Sequence, residues 1–192
     1  MPNKVKYGLK SVHYAVATIG ADNTATYGTP VAWEGAVNLS MDAQGDTTTF
    51  RADNIDYWVG QSNNGYQGDF ESALIPDSFK KDVLGYIEDG NGVLVEDAGA
   101  KTQPFALMFQ FEGDVNATRH VLYNVTSGRP SVAGQTTDST IEPQTETATF
   151  TAVAVHNSTL NKDIVKASVT PDQSTQYNAW FTTVYQPTAP TP

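Results

Sequence analysis

Cysteine is absent from the 192 residues, which removes any disulfide framework and any thiolate metal site. Positive charge is scarce: 11 Lys and Arg stand against 21 Asp and Glu, a net charge of −10, with no basic run anywhere. Phosphate contacts need clustered Lys and Arg, so a fixed nucleic-acid-binding role is disfavoured. Long apolar runs are missing too, and nothing approaches the eighteen or so residues of a membrane-spanning helix. The first twenty residues hold no apolar core of signal-peptide length, so the expectation is a soluble product of a cytoplasm. The catalytic signatures are missing as well. There is no G-x-S-x-G elbow and no phosphate-cradling glycine loop, and His13, His120 and His156 match no metal-binding spacing. Asp42, Gln44 and Asp46 imitate the start of a calcium loop but lack its glycine and its distant glutamate. No cofactor and no metal is expected, and the chain does not read as an enzyme.

What is present is β pattern. Only 17% of residues are charged, while Thr, Asn, Gln, Ser and Gly are abundant and 10% are aromatic; that composition suits strands with polar loops. Tyr7 to Thr18 opens as a strand, and Ala36 to Met41 reads as a short one with Val37, Leu39 and Met41 on one face. Residues 42–64 read as a long acidic loop carrying short strands around Thr47–Ala52 and Asp56–Val59. Asn64-Gly65 supplies a tight turn. Beyond it Tyr66, Gly68, Phe70, Ser72 and Leu74 alternate with Gln67, Asp69, Glu71, Ala73 and Ile75 on a strand that Pro76 ends. One short helix follows at about 77–85, with Asp77 placed to cap it, Phe79 and Val83 a turn apart, and Gly85 able to close it.

Pro104 to Glu112 is the clearest strand. Phe105, Leu107, Phe109 and Phe111 take one face; Ala106, Met108, Gln110 and Glu112 take the other, which is expected to be partly wet or to meet a partner. Thr118–Thr126 then forms a hairpin with it. Ser127–Gln144 is a polar loop, and Thr145–Val155 alternates Thr147, Thr149 and Thr151 with Ala148, Phe150 and Ala152. Trp180–Tyr185 reads as a last strand before a Pro-rich tail. The sum is a mainly β chain: a single antiparallel sandwich or barrel over 1–192 with one short flanking helix and long loops. A short arm at 1–10 opens it and a less regular segment at 156–192 closes it.

Two features admit other chemistry. Asp69 and Glu71 share a strand face about 7 Å apart by strand geometry, a spacing that glycoside hydrolases exploit, but a charged wall is the favoured reading in so acidic a chain. Tyr57, Trp58, Tyr66 and Trp180 suggest an alternative, a non-catalytic carbohydrate- or surface-binding module.

Several segments, taken in order, resemble the major tail protein, or tail tube protein, of long-tailed, non-contractile phages of Gram-positive bacteria. They are Lys6–Lys10, Val12–Ala15, Tyr27–Pro30, Gly35–Ser40, Ala52–Ile55, Asn63–Tyr66, Ala73–Asp77, Lys81–Gly85, Pro104–Leu107, Arg119–Asn124 and Ile141–Thr147. No one of them is specific; their order and spacing are. The resemblance implies two packed antiparallel sheets with a flanking helix. It implies a structural virion subunit that assembles in the tail as stacked hexameric rings. Its partners would be further copies of itself, a tape-measure protein, and tail-tip and tail-terminator proteins, with DNA passing through the lumen without specific binding. On that basis Asp69, Glu71, Gln110, Glu112 and Glu146 are expected to face the lumen. Tyr7, Leu9, Phe50, Ile55, Tyr57 and Trp58 are expected to contact neighbouring subunits.

Overall fold

The computed structural model of the chain describes residues 5–136 and 143–189. The first residues of the expected arm, the middle of the loop 127–144, including Ile141, and the end of the tail lie outside the described residues. In chain order the strands are β1 (Leu9–Ile19), β2 (Ala25–Tyr27), β3 (Val31–Ala32), β4 (Ala36–Ala43), β5 (Thr47–Ala52), β6 (Ile55–Gln61) and β7 (Tyr66–Ser72). Helix α1 (Asp77–Asp82) follows, then β8 (Ile87–Glu88), β9 (Leu94–Val95), β10 (Phe105–Phe111), β11 (Arg119–Ser127), β12 (Glu146–Val153), β13 (Val155–Asn157), β14 (Lys162–Ile164) and β15 (Lys166–Val169). A second helix, α2 (Ser174–Ala179), stands where the alternation had not announced one.

One large antiparallel sheet organises the chain. Its strands run β2-β1-β10-β11-β12-β7-β4, with β3 added to β1 and β15 to β11. The sheet curls, because Leu9 of β1 and Leu39 and Met41 of β4 pack on the same apolar cluster although they come from distant strands. That cluster is aromatic. Phe70 stacks on Phe150 at 5.2 Å, and Trp33 meets both Phe70 and Phe79 edge-on or tilted, at 4.8 and 4.4 Å. The Trp33 indole N–H donates to the buried Ser72 hydroxyl at 2.9 Å, so the largest ring in this core leaves no orphaned donor. Helix α1 closes one end of the curl with Phe79 and Val83, both fully buried.

The helix is shorter than expected, and Pro76, not Asp77, occupies its N-cap; Asp77 instead sits in the first turn and pairs with Lys80. Gly85 does adopt the left-handed conformation, φ +77°, that carries the chain out of the helix. Strand β7 keeps the expected alternation only to Ser72. There the chain bends, with the Ser72 hydroxyl donating to the Leu74 carbonyl, so Leu74 is exposed and Ile75 buried, the reverse of a continued strand.

Both faces of β10 are buried. Ala106 and Met108 lie under a second cluster with Ala15, Val121, Tyr123, Trp180 and Val184. The cover is the C-terminal segment: β15 pairs with β11, and α2 with the turn after it lies over the sheet. Trp180–Tyr185 is therefore not a strand. It is the apolar underside of a helical turn, and Trp180 is 2% exposed.

Candidate assembly surfaces

Three surfaces carry the chain's unused chemistry. The first is the outer face of β4, β7 and β12. Register aligns Ser40 with Asp69 and Thr149, Asn38 with Glu71 and Thr147, and Asp42 with Gln67 and Thr151. Thr126 of β11 extends the last of these rungs. The opposite faces of the same strands hold Leu39, Met41, Phe70, Ala148 and Phe150 in the core, so strand alternation leaves the aligned rungs of this wall polar, with exposed Val153 continuing the β12 row and Val37 exposed at the start of β4. It carries three carboxylates, Asp42, Asp69 and Glu71, and no Lys or Arg. Thr149 donates its hydroxyl to Asp69 at 2.9 Å, and Thr145 to Glu71 at 2.5 Å, which fixes both carboxylates against the sheet.

Of the five side chains expected on one channel wall, the structure brings only Asp69 and Glu71 together. Gln110 is 7% exposed and lies under the C-terminal segment, where its amide donates to the Tyr177 hydroxyl at 3.2 Å and its carbonyl accepts from Arg119. Glu146 falls on the core parity of β12; its carboxylate accepts the Ile75 N–H at 2.6 Å and so caps the bend after β7. Glu112 lies past the end of β10 beside Lys10, 3.6 Å away. Gln110 is thus covered within the chain itself, and Glu146 is half-buried and held at the bend, apart from the Asp69–Glu71 face.

The second surface is a hairpin where a loop was expected. Strands β5 and β6 pair from Thr47–Gln61 to Ala52–Ile55 and are hydrogen-bonded to no other strand among the described residues. Asp53 and Asn54 both take positive φ, 52° and 61°, the conformation of a two-residue hairpin turn. Two β-prone runs separated by Asp-Asn held that signal in the sequence, and the acidic reading of 42–64 obscured it. Phe50 faces Trp58 across the ladder, and Phe50, Ile55, Tyr57, Trp58 and Val59 are all exposed, Trp58 by 56% and Tyr57 by 70%. A free two-stranded hairpin is marginal in water, and one that exposes Phe50 and Trp58 on one face and Tyr57 and Val59 on the other has the apolar surface of a contact element. Tyr7 is likewise exposed, its backbone carbonyl bonded to Gly113 N at 2.9 Å, whereas Leu9 packs partly on the core. The carbohydrate-platform reading loses a member, since Trp180 is buried, and Tyr66 is half-buried at the mouth of the sheet.

The third surface is the open end of the curl opposite α1. Met41, Phe109 and Phe111 line a cavity of about 160 Å³ there, with Lys6, Lys166 and His120 at its rim. Burial, then Lys166 and Lys6, hold the His120 imidazole below the ordinary histidine range, against a weaker opposing pull from Asp114. No cluster of three or more His, Asp or Glu able to hold a metal ion occurs among the described residues.

A β-rich chain with a largely polar sheet face, an unsatisfied apolar hairpin and no assembled reactive constellation among its described residues has the traits of a building block. The chain belongs to the phage tail tube protein family, whose model matches residues 2–188. It is thus a structural component of a phage tail, one of the repeated copies that build a tube. No curated protein matches it. Among solved structures, the chain is similar to the tube-terminating cap of the anti-feeding prophage, at 11% identity and a TM-score of 0.44, over 86% of this chain and 93% of that one.

Proposed function

We propose that copies of this chain close into hexameric rings which stack into the tail tube of a long-tailed, non-contractile phage of a Gram-positive host. The β4–β7–β12 wall faces the lumen, which first holds a tape-measure protein and then conducts the genome; tail-tip and terminator proteins bound its two ends. The observation that carries this reading is the wall itself, a broad sheet face with carboxylates, hydroxyls and amides and no basic side chain. Fixed negative charge repels phosphate, and hydroxyls without cationic anchors give DNA nothing to hold, so the duplex slides. The free edge of β4 and the exposed β5–β6 hairpin supply the contacts. Edge pairing between neighbours removes a strand edge from water, and a hairpin laid on the next ring buries Phe50, Tyr57 and Trp58.

The test is negative-stain microscopy and sedimentation of the purified chain, alone and with a tail-tip initiator. Rings and tubes are expected. Phe50→Ser with Trp58→Ser should abolish them while the melting temperature of the monomer stays within a few degrees. A chain that remains monomeric at high concentration, in every salt and with the initiator present, would remove the reading.

A further inference from the structure

The two ends of the curled sheet differ in a complementary way. Strand register fixes which residues lie at which end. Leu9 pairs with Phe111, Phe109 with His120, and Ala43 with Tyr66, all at the open end. The chain enters α1 from the other end of β7, and the β8–β9 hairpin follows it there, tied to the helix by the Lys81–Glu88 ion pair at 2.9 Å.

At the open end, the cavity is floored by Met41, Phe109 and Phe111 and rimmed by two ammonium groups. Lys6 Nζ lies 4.8 Å above the Phe111 ring and Lys166 Nζ 5.1 Å above the Tyr66 ring. Neither lysine makes an ion pair among the described residues, although the chain as a whole carries a net charge of −10. At the α1 end, the β8–β9 turn offers the opposite chemistry. The Asp89 carboxylate accepts the N–H groups of Asn91 and Val93 at 2.8 and 2.9 Å; these bonds rigidify the turn and hold the carboxyl below its ordinary range. Asp89 meets no cation among the described residues. Beside it Val93 is 54% exposed, with Ile87 and Val95 also in water.

We propose that the open mouth receives the β8–β9 turn of a second copy of this chain, Val93 reaching the apolar floor of the cavity and Asp89 meeting Lys6 and Lys166 at its rim. The inference rests on the stacked-tube reading. A head-to-tail stack joins unlike surfaces, and it places the α1 end of one copy against the open end of the next. Between chains that repel one another by net charge, a basic rim set against an acidic turn fixes both register and polarity. The β5–β6 hairpin leaves from the same end as the mouth, so in such a stack it runs along the neighbour and does not fill its own copy's cavity.

The absence of cysteine makes the contact directly testable. A full-length Val93→Cys, Met41→Cys double variant is assembled, imaged and treated with a short bismaleimide. A ladder of covalent multimers on a denaturing gel is expected from the double variant, and at most dimers from either single variant. A second arm reverses the charges: Lys6→Glu with Lys166→Glu should abolish sedimenting tubes, and adding Asp89→Lys should restore them. Tubes that form without a ladder, and that survive the lysine reversal, overturn the docking while leaving the tube reading intact. A wild-type chain that makes no tubes at all, with or without the initiator, overturns both.

Discussion

Trp180→Ala tests whether the C-terminal segment is a structural layer or a loose appendage. The indole is 2% exposed, stacks on Tyr185 with centroids 5.5 Å apart, and donates its N–H to the His120 carbonyl at 3.2 Å. Beneath it lie Ala15, Ala106, Met108, Val121 and Tyr123, a sheet face that water reaches if the segment lifts. The segment has further ties. Arg119 stacks on Tyr177 at 3.7 Å and bonds its carbonyl, and Phe181 stacks on His13 at 4.7 Å. These contacts limit how far the site collapses around the missing ring, so the loss falls in the usual range for a buried Trp→Ala change, about 3–5 kcal/mol. For a domain of this size that corresponds to a melting temperature lower by roughly 6–20 °C. The comparison is Trp58→Ala, whose ring is 56% exposed on the free hairpin and should cost no more than about 0.5 kcal/mol. Urea unfolding of the two variants, with limited proteolysis of the C-terminal residues, measures the difference. If Trp180→Ala costs under about 1 kcal/mol, or no more than Trp58→Ala, the segment does not cover the sheet and the two-cluster account fails.

Three further outcomes follow from particular contacts. His120 is held below the ordinary histidine range by burial first and by Lys166 and Lys6 second. The unfolded chain therefore takes up the proton first: the stability associated with neutral His120 is complete above about pH 6.5 and falls as pH drops below it. In His120→Asn, the pH dependence of the urea midpoint should flatten in that window; an unchanged slope would assign it elsewhere. A Cβ added at Gly68 would sit 1.8 Å from the Ser40 carbonyl oxygen on the neighbouring strand. Gly68→Ala should thus break the β4–β7 ladder and cost several kcal/mol, about 3 or more, read as lost protection of β4 amides in hydrogen exchange. The Tyr123 hydroxyl is buried without a hydrogen-bond partner among the described residues, so Tyr123→Phe should leave stability unchanged or raise it by up to about 1 kcal/mol. A loss larger than about 1 kcal/mol in calorimetry would show that the hydroxyl is satisfied.

The strand pattern was legible wherever one face of a strand meets the core and the other meets water. The alternation of Tyr66 to Ser72 and of Thr147 to Ala152 places Asp69, Glu71 and the threonines on one side from the sequence alone. Period-two alternation is a local property, and a sheet with one dry face preserves it. Gln110 shows where that inference stops. Its strand alternates as cleanly, yet its polar face is dry because residues far along the chain, from Tyr177 to Val184, fold over it. Glu146 shows the same limit from the other side, since a carboxylate on the core parity is tolerated only because the bend after β7 presents the Ile75 N–H to it.

By itself, then, the sequence determined the β class, the parity of β7 as far as Ser72 and of β12, the short helix with Phe79 and Val83 turned inward, and the lack of a thiol, of a basic run and of a nucleophile elbow. All of these are set by residue type and near-neighbour spacing. The tertiary structure alone decided that the hairpin of residues 47–61 stands clear of the main sheet, that the C-terminal segment is the second layer of the core, and that Lys6, Lys166 and His120 meet at one mouth while Asp89 stands at the far end. Those are contacts between residues distant in sequence, and only the curl of the sheet brings them together or holds them apart.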